Sequence, residues 1–131
     1  MLLIKKVLIG FMSIMMFGCS VVGGRYDSNE YTAFAVVNMI ATDVKKSCGN
    51  TNNTQSNSER LLTAAKYANV FTKYQPYNQE MHKISTELLS LVTEFDKNTK
   101  HEMTKTYCEI KIDSIIAVSE IALQTAVVKG M

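Results

Sequence analysis

The chain reads as all-α: a four-helix bundle with one disulfide, preceded by an amino-terminal export segment. Three observations carry that reading. Beyond Gly24 the only glycines are Gly49 and Gly130, and Pro76 is the only proline, too little turn chemistry for a β-rich domain. Apolar residues recur at three- and four-residue spacing in four separate stretches. Between those stretches stand short runs of Asn, Ser, Thr and Asp, the residues that cap helices.

The export segment comes first. Lys5 and Lys6 precede the apolar run "VLIGFMSIMMF", the pattern of a secretory signal. The run is short of the roughly 20 apolar residues a spanning helix needs. It ends at Met16-Phe17-Gly18-Cys19, which resembles the bacterial lipobox, whose cysteine receives a diacylglyceryl group and becomes the new amino terminus. The resemblance implies that residues 1–18 are removed, that Cys19 is lipidated, that 19–29 form a tether and that 30–131 form the bundle domain. Cleavage at an ordinary nearby site, leaving Cys19 unmodified, is the competing reading. Several acyl chains hold a protein on a bilayer in practice permanently, where one short chain holds weakly. Ser20 follows the cysteine, and by resemblance to enterobacterial lipoproteins this places the chain on the periplasmic face of the outer membrane, delivered by the lipoprotein-sorting machinery.

The first bundle helix is expected from about Glu30 to Ser47, with Asp27, Ser28 and Asn29 as capping residues and Phe34, Val37, Ala41, Val44 and Cys48 along one stripe. Gly49 stands in a helix-ending position and opens "GNTNNTQSNS", read as a polar loop. Ser56 and Glu59 have capping-box spacing ahead of a second helix whose stripe is Leu61, Ala64, Ala65, Ala68 and Phe71. Pro76 lacks an amide proton and holds Gln75 extended, so this helix should end near Tyr74. A third helix from about Asn78 carries Met81, Ile84, Leu88, Leu91, Val92 and Phe95, and "DKNTKH" closes it. Thr99 with Glu102 offers a second capping box for a fourth helix running to about Val128, on the order of 40 Å long. Tyr107, Cys108, Ile112, Ile115, Ile116, Ala122 and Ala126 can face the core, while Ile110, Val118 and Ile121 lie off that stripe. The fourth helix therefore either bends over the bundle or has apolar surface to spare.

Charge narrows the partners. Removing Lys5 and Lys6 from the fourteen basic residues leaves twelve, equal to the twelve acidic ones, so the net +2 belongs to the export segment. No basic run marks a nucleic-acid footprint. In an exported chain Cys48 and Cys108 enter an oxidising compartment, where a bond closing sixty residues would stabilise by roughly 4 kcal/mol; two separate thiols are the alternative. His82 and His101 are not at ligand spacing with either cysteine and sit beside Lys83, Lys100 and Glu102, the setting of solvated imidazoles. No phosphate loop, metal-protease motif or nucleophile elbow occurs. The expectation is a binding protein without metal or cofactor, not an enzyme.

"VKKSCG", "LLTAAKYANVFTKY", "ISTELLSLVTEFD" and "KTYCEIKIDSI" together resemble the pilotins, small helical pilot lipoproteins of type II secretion systems. In that family a cysteine ending the first of four helices joins one in the last. The resemblance spans roughly residues 31–116; the loop after Cys48 has no proline, the chain has no Trp, and the stretch after Ile116 is longer than the family's. It implies capture of the C-terminal segment of a secretin subunit, which folds to an amphipathic helix in a groove of the bundle and is carried to the outer membrane. Val37, Ile40, Tyr67, Val70, Phe71, Leu88 and Val92 are the candidate groove residues, with core packing as the other use of each. The rival function is a plasmid- or phage-encoded exclusion lipoprotein that blocks an incoming conjugation or infection apparatus. A purely structural envelope brace would be a long coiled coil, against which the loops expected at 49–58 and 74–78 argue.

Overall fold

Asp27 sets the start of the first helix: its carboxylate accepts from the Asn29 and Glu30 amides at 2.7 and 3.4 Å, satisfying donors that the first turn leaves unpaired. The computed structural model describes residues 26–129, so Cys19 and the export segment lie outside the described residues. Within them are four helices and no strand: α1 Ser28–Ser47, α2 Thr51–Lys73, α3 Gln79–Asn98 and α4 Lys105–Val128. α1 thus begins two residues before Glu30, where the helix was expected to start. Each helix touches two others, α1 and α3 both lying against α2 and α4, so the four close into a ring whose thinnest seam is α3–α4.

The ring closes around stripes whose positions alternate by three and four, the spacing that knobs-into-holes packing uses. Phe34, Val37, Ala41 and Val44 from α1 meet Leu61, Ala65 and Ala68 from α2, Met81, Leu88, Val92 and Phe95 from α3, and Ile112, Ile115, Ala122 and Ala126 from α4. Burying each large side chain contributes about 1.5–3 kcal/mol. Polar residues occupy other turns of the same stripes. Thr54, Ser58 and Thr72 on α2, Ser85 on α3 and Ser119 on α4 are all buried. Ser58 donates to Asp96 at 2.9 Å, and Asn38 donates to Ser119 at 2.9 Å. Asn69 donates to Ser85 and Thr86 at 3.2 and 3.0 Å, and the Thr72 and Ser85 hydroxyls lie 2.8 Å apart. His82 Nδ1 lies 3.1 Å from the Thr72 hydroxyl, so this imidazole joins the α2–α3 seam instead of standing in solvent.

Three local expectations are corrected. Residues 51–58 are helical, not loop: Asn50 caps α2 by accepting from the Asn53 amide at 3.2 Å, and no box at Ser56 and Glu59 is formed. The reason is that Thr54 and Ser58 extend the core stripe of Leu61 and Ala65 backward with small hydroxyls, Thr54 donating to the Ser47 carbonyl at 2.7 Å. The chain turns between α1 and α2 over Cys48, Gly49 and Asn50, with Gly49 at φ 99°, where a side chain would be strained. Thr99 closes α3, donating to the Asp96 carbonyl at 2.6 Å, while Thr104 caps α4 by accepting from the Tyr107 amide at 3.1 Å. Tyr107 lies on the outside, because the neighbouring Cys108 takes the inward position, and its hydroxyl accepts from Asn98 at 3.1 Å. α4 runs without interruption to Val128, leaving Ile110 and Ile121 exposed.

Cys48 and Cys108 form the disulfide, with Cα atoms 5.7 Å apart. It fastens the end of α1 to the first turn of α4. On the same seam Lys45 and Asp113 are 2.8 Å apart at the surface.

Candidate partner-binding groove

Helix α1 carries no charged residue from Tyr31 to Thr42, and α2 with the following turn carries only Arg60, Lys66 and Lys73 between Glu59 and Glu80. A helix this poor in charge has an apolar stripe wider than its core contact consumes. The surplus surfaces along the α1–α2 seam. Val36 and Met39 are exposed on α1, and Tyr67, Val70 and Tyr74 on α2. Tyr67, 61% exposed, stands between two adjoining hollows. One, of about 300 Å³, is lined by Asn29, Thr32, Ala33, Val36, Ala64 and Tyr67. The other, of about 360 Å³, is lined by Tyr67, Val70, Phe71, Tyr74 and Gln75. Tyr67 and Phe71 stack at 6.2 Å between centroids, one turn apart, which stiffens the wall between the hollows. Lys73 lies 5.6 Å over the Tyr74 ring, so the rim is cationic where the floor is apolar.

This geometry divides the seven sequence-derived groove residues. Tyr67, Val70 and Phe71 come together in the groove. Val37, Ile40, Leu88 and Val92 do not: they are buried in the core, and a partner cannot reach them while the bundle is closed. These four take the core-packing use that was the other reading of each. Val36, Ala64 and Tyr74 line the groove and were not among the seven. The usable signal is the charge-free interval 31–42, which leaves an apolar residue beside each core position.

A polar network holds one end of the groove. Glu30, only 1% exposed, accepts from Lys129 at 2.7 Å and from Asn78 at 2.6 Å, and Lys129 also donates to Asn78. Gln75 donates to Asp27 at 2.8 Å, while Asn78 donates to Gln75 at 3.2 Å. The start of α1, the α2–α3 turn and the end of α4 are thereby fixed to one another, and Gln75 belongs to both the network and the groove.

The Thr72 and Ser85 hydroxyls near His82 are each 1% exposed, so a substrate cannot approach them. A cavity of about 20 Å³ beside Cys108, lined by Gly49, Thr54 and Thr99 among others, has room for one water. Among the described residues no three His, Cys, Asp or Glu side chains are placed to share a metal ion, and no helix is long and apolar enough to cross a membrane. Comparison with protein-family models, with curated proteins and with solved structures finds no match to this chain.

Proposed function

We propose that the mature protein is a pilot lipoprotein: anchored through Cys19 to the periplasmic face of the outer membrane, it captures the C-terminal segment of a type II secretion secretin and brings that subunit to its membrane. The observation that carries this reading is the open aromatic groove that starts between α1 and α2 and continues along α2 to the turn after it, on a bundle whose Cys48–Cys108 bond joins the first and last helices as the pilotin resemblance implies. An amphipathic segment lays its apolar residues, spaced by three and four, against Val36, Tyr67, Val70 and Tyr74. The groove is built on two packed helices, so the ordering cost falls on the incoming segment. Lys66 and Lys73 favour a segment with acidic residues beside its apolar stripe. No step makes or breaks a covalent bond.

The test is titration of the protein with a synthetic peptide from the secretin C-terminus, followed by circular dichroism. The complex should show more helix than the sum of its parts at micromolar concentration. A spectrum that remains the sum of the two components at several hundred micromolar peptide rules the reading out.

A further inference from the structure

The two ends of the bundle differ. At the end holding the disulfide, the connection Thr99–Thr104 carries Lys100, His101 and Glu102, all exposed, and Gly49–Asn50 makes the other turn. At the opposite end the α2–α3 turn, "YQPYN", has no charge, and the exposed large side chains are Tyr26 (47%), Tyr74 (76%), Tyr77 (69%), Val127 (47%) and Val128 (64%). They come from three separate segments, brought to one end by the hydrogen bonds of Asp27, Glu30, Gln75, Asn78 and Lys129. Tyr77 has φ 57°, a conformation that Gly or Asn adopts more easily, yet a phenol is displayed there.

We propose that this aromatic end of the bundle rests on the lipid bilayer. Tyrosine combines an apolar ring with a hydroxyl that stays hydrated, the combination enriched at membrane interfaces. The position of the chain's anchor argues for lipid over a peptide: Cys19 lies seven residues before Tyr26, so the acyl chains are within about 25 Å of this end even with the tether fully extended. Tyr26, Tyr77, Val127 and Val128 line neither hollow of the groove, and Tyr74 alone is shared between the two surfaces. The inference rests on the lipid anchor in the function proposed above. Its consequence is that the bundle stands upright, with the α1–α2 groove opening sideways along the membrane.

The experiment is hydroxyl-radical footprinting of the full lipidated protein in vesicles of phosphatidylethanolamine and phosphatidylglycerol, read tyrosine by tyrosine by mass spectrometry. Tyr74 and Tyr77 should oxidise several-fold more slowly than Tyr107, although both are more exposed in the protein itself. Tyr77→Asp, a change at an exposed position outside the groove, should restore oxidation of Tyr26 and Tyr74 to the level of Tyr107. The same digest reports the mass of the peptide containing Cys19. Acylated Cys19 with Tyr74 and Tyr77 oxidised as fast as Tyr107 overturns membrane docking alone; unmodified Cys19 overturns docking and anchor together. Protection that disappears when the lipoprotein is diluted across more vesicles assigns the face to a second copy, and protection that requires added secretin peptide assigns it to the peptide; either result overturns the proposal.

Discussion

Reducing the Cys48–Cys108 bond should lower the stability of the fold by about 4 kcal/mol. Both sulfurs are buried, Cys48 at 7% and Cys108 at 1% exposure, so reduction leaves two thiols in nearly the same volume and opens no cavity. What changes is the unfolded chain. The bond closes a segment of 60 residues, and the loop-entropy relation gives about 14 cal/mol/K for that length, or about 4 kcal/mol at 25 °C. Domains of this size are stable by roughly 5–15 kcal/mol, so the bond supplies a large part of the total. The assay is urea unfolding followed by circular dichroism, with and without a phosphine reductant. At a slope of about 2 kcal/mol per molar the midpoint should fall by about 2 M, and the slope itself should steepen because the open chain exposes more surface. A midpoint shift below about 0.5 M at unchanged slope refutes the reasoning, since the helices would then hold α1 to α4 without the covalent link.

Lys129→Ala leaves the Glu30 carboxylate buried with only Asn78 beside it and should destabilise by about 3 kcal/mol in the same urea assay; Glu30→Gln combined with it should recover part of the loss. Tyr67→Ala removes the wall between the two hollows from an exposed position, so secretin-peptide affinity measured by fluorescence anisotropy should weaken about tenfold or more while the urea midpoint stays within about 0.5 M. Cys19→Ala should move the protein out of the outer-membrane fraction, checked by immunoblot of separated envelope fractions. Lys45 accounts for one pH effect: its hydrogen bond to Asp113 and that carboxylate's charge raise its folded pKa above the ordinary lysine value. The pair's contribution is therefore complete at neutral pH and is lost as pH rises through the raised pKa, so Asp113→Asn should flatten the alkaline limb of the stability profile.

The α1 stripe, the break at Tyr74 and the extent of α4 to Val128 were legible because large apolar side chains and proline mark them. The start of α2 was not. Thr54 and Ser58 fill core positions with hydroxyls, and a reading based on hydropathy takes "NTNNTQSNS" for a loop when Asn50 and the Asp96 carboxylate have made it helical. The same blindness hid Ser85, His82 and Glu30: Ser85 and Glu30 are buried and His82 half-buried because partners on other helices satisfy them, and partners are invisible until the helices are assembled. In the groove, Tyr67, Val70 and Phe71 were among the candidates, but nothing in the sequence set them apart from the four that are core. Val37 and Val36 differ by one position and by about 100° of helix rotation, and only the packing tells which of the two a visitor meets.

Helix α1 is clamped at each end, by Glu30 to Lys129 and by Cys48 to Cys108. A leash attached ahead of Ser28 would therefore not strip α1 from its neighbours turn by turn. Tension entering there would be shared with α4 and the α2–α3 turn through the near clamp, and the far fastening is covalent.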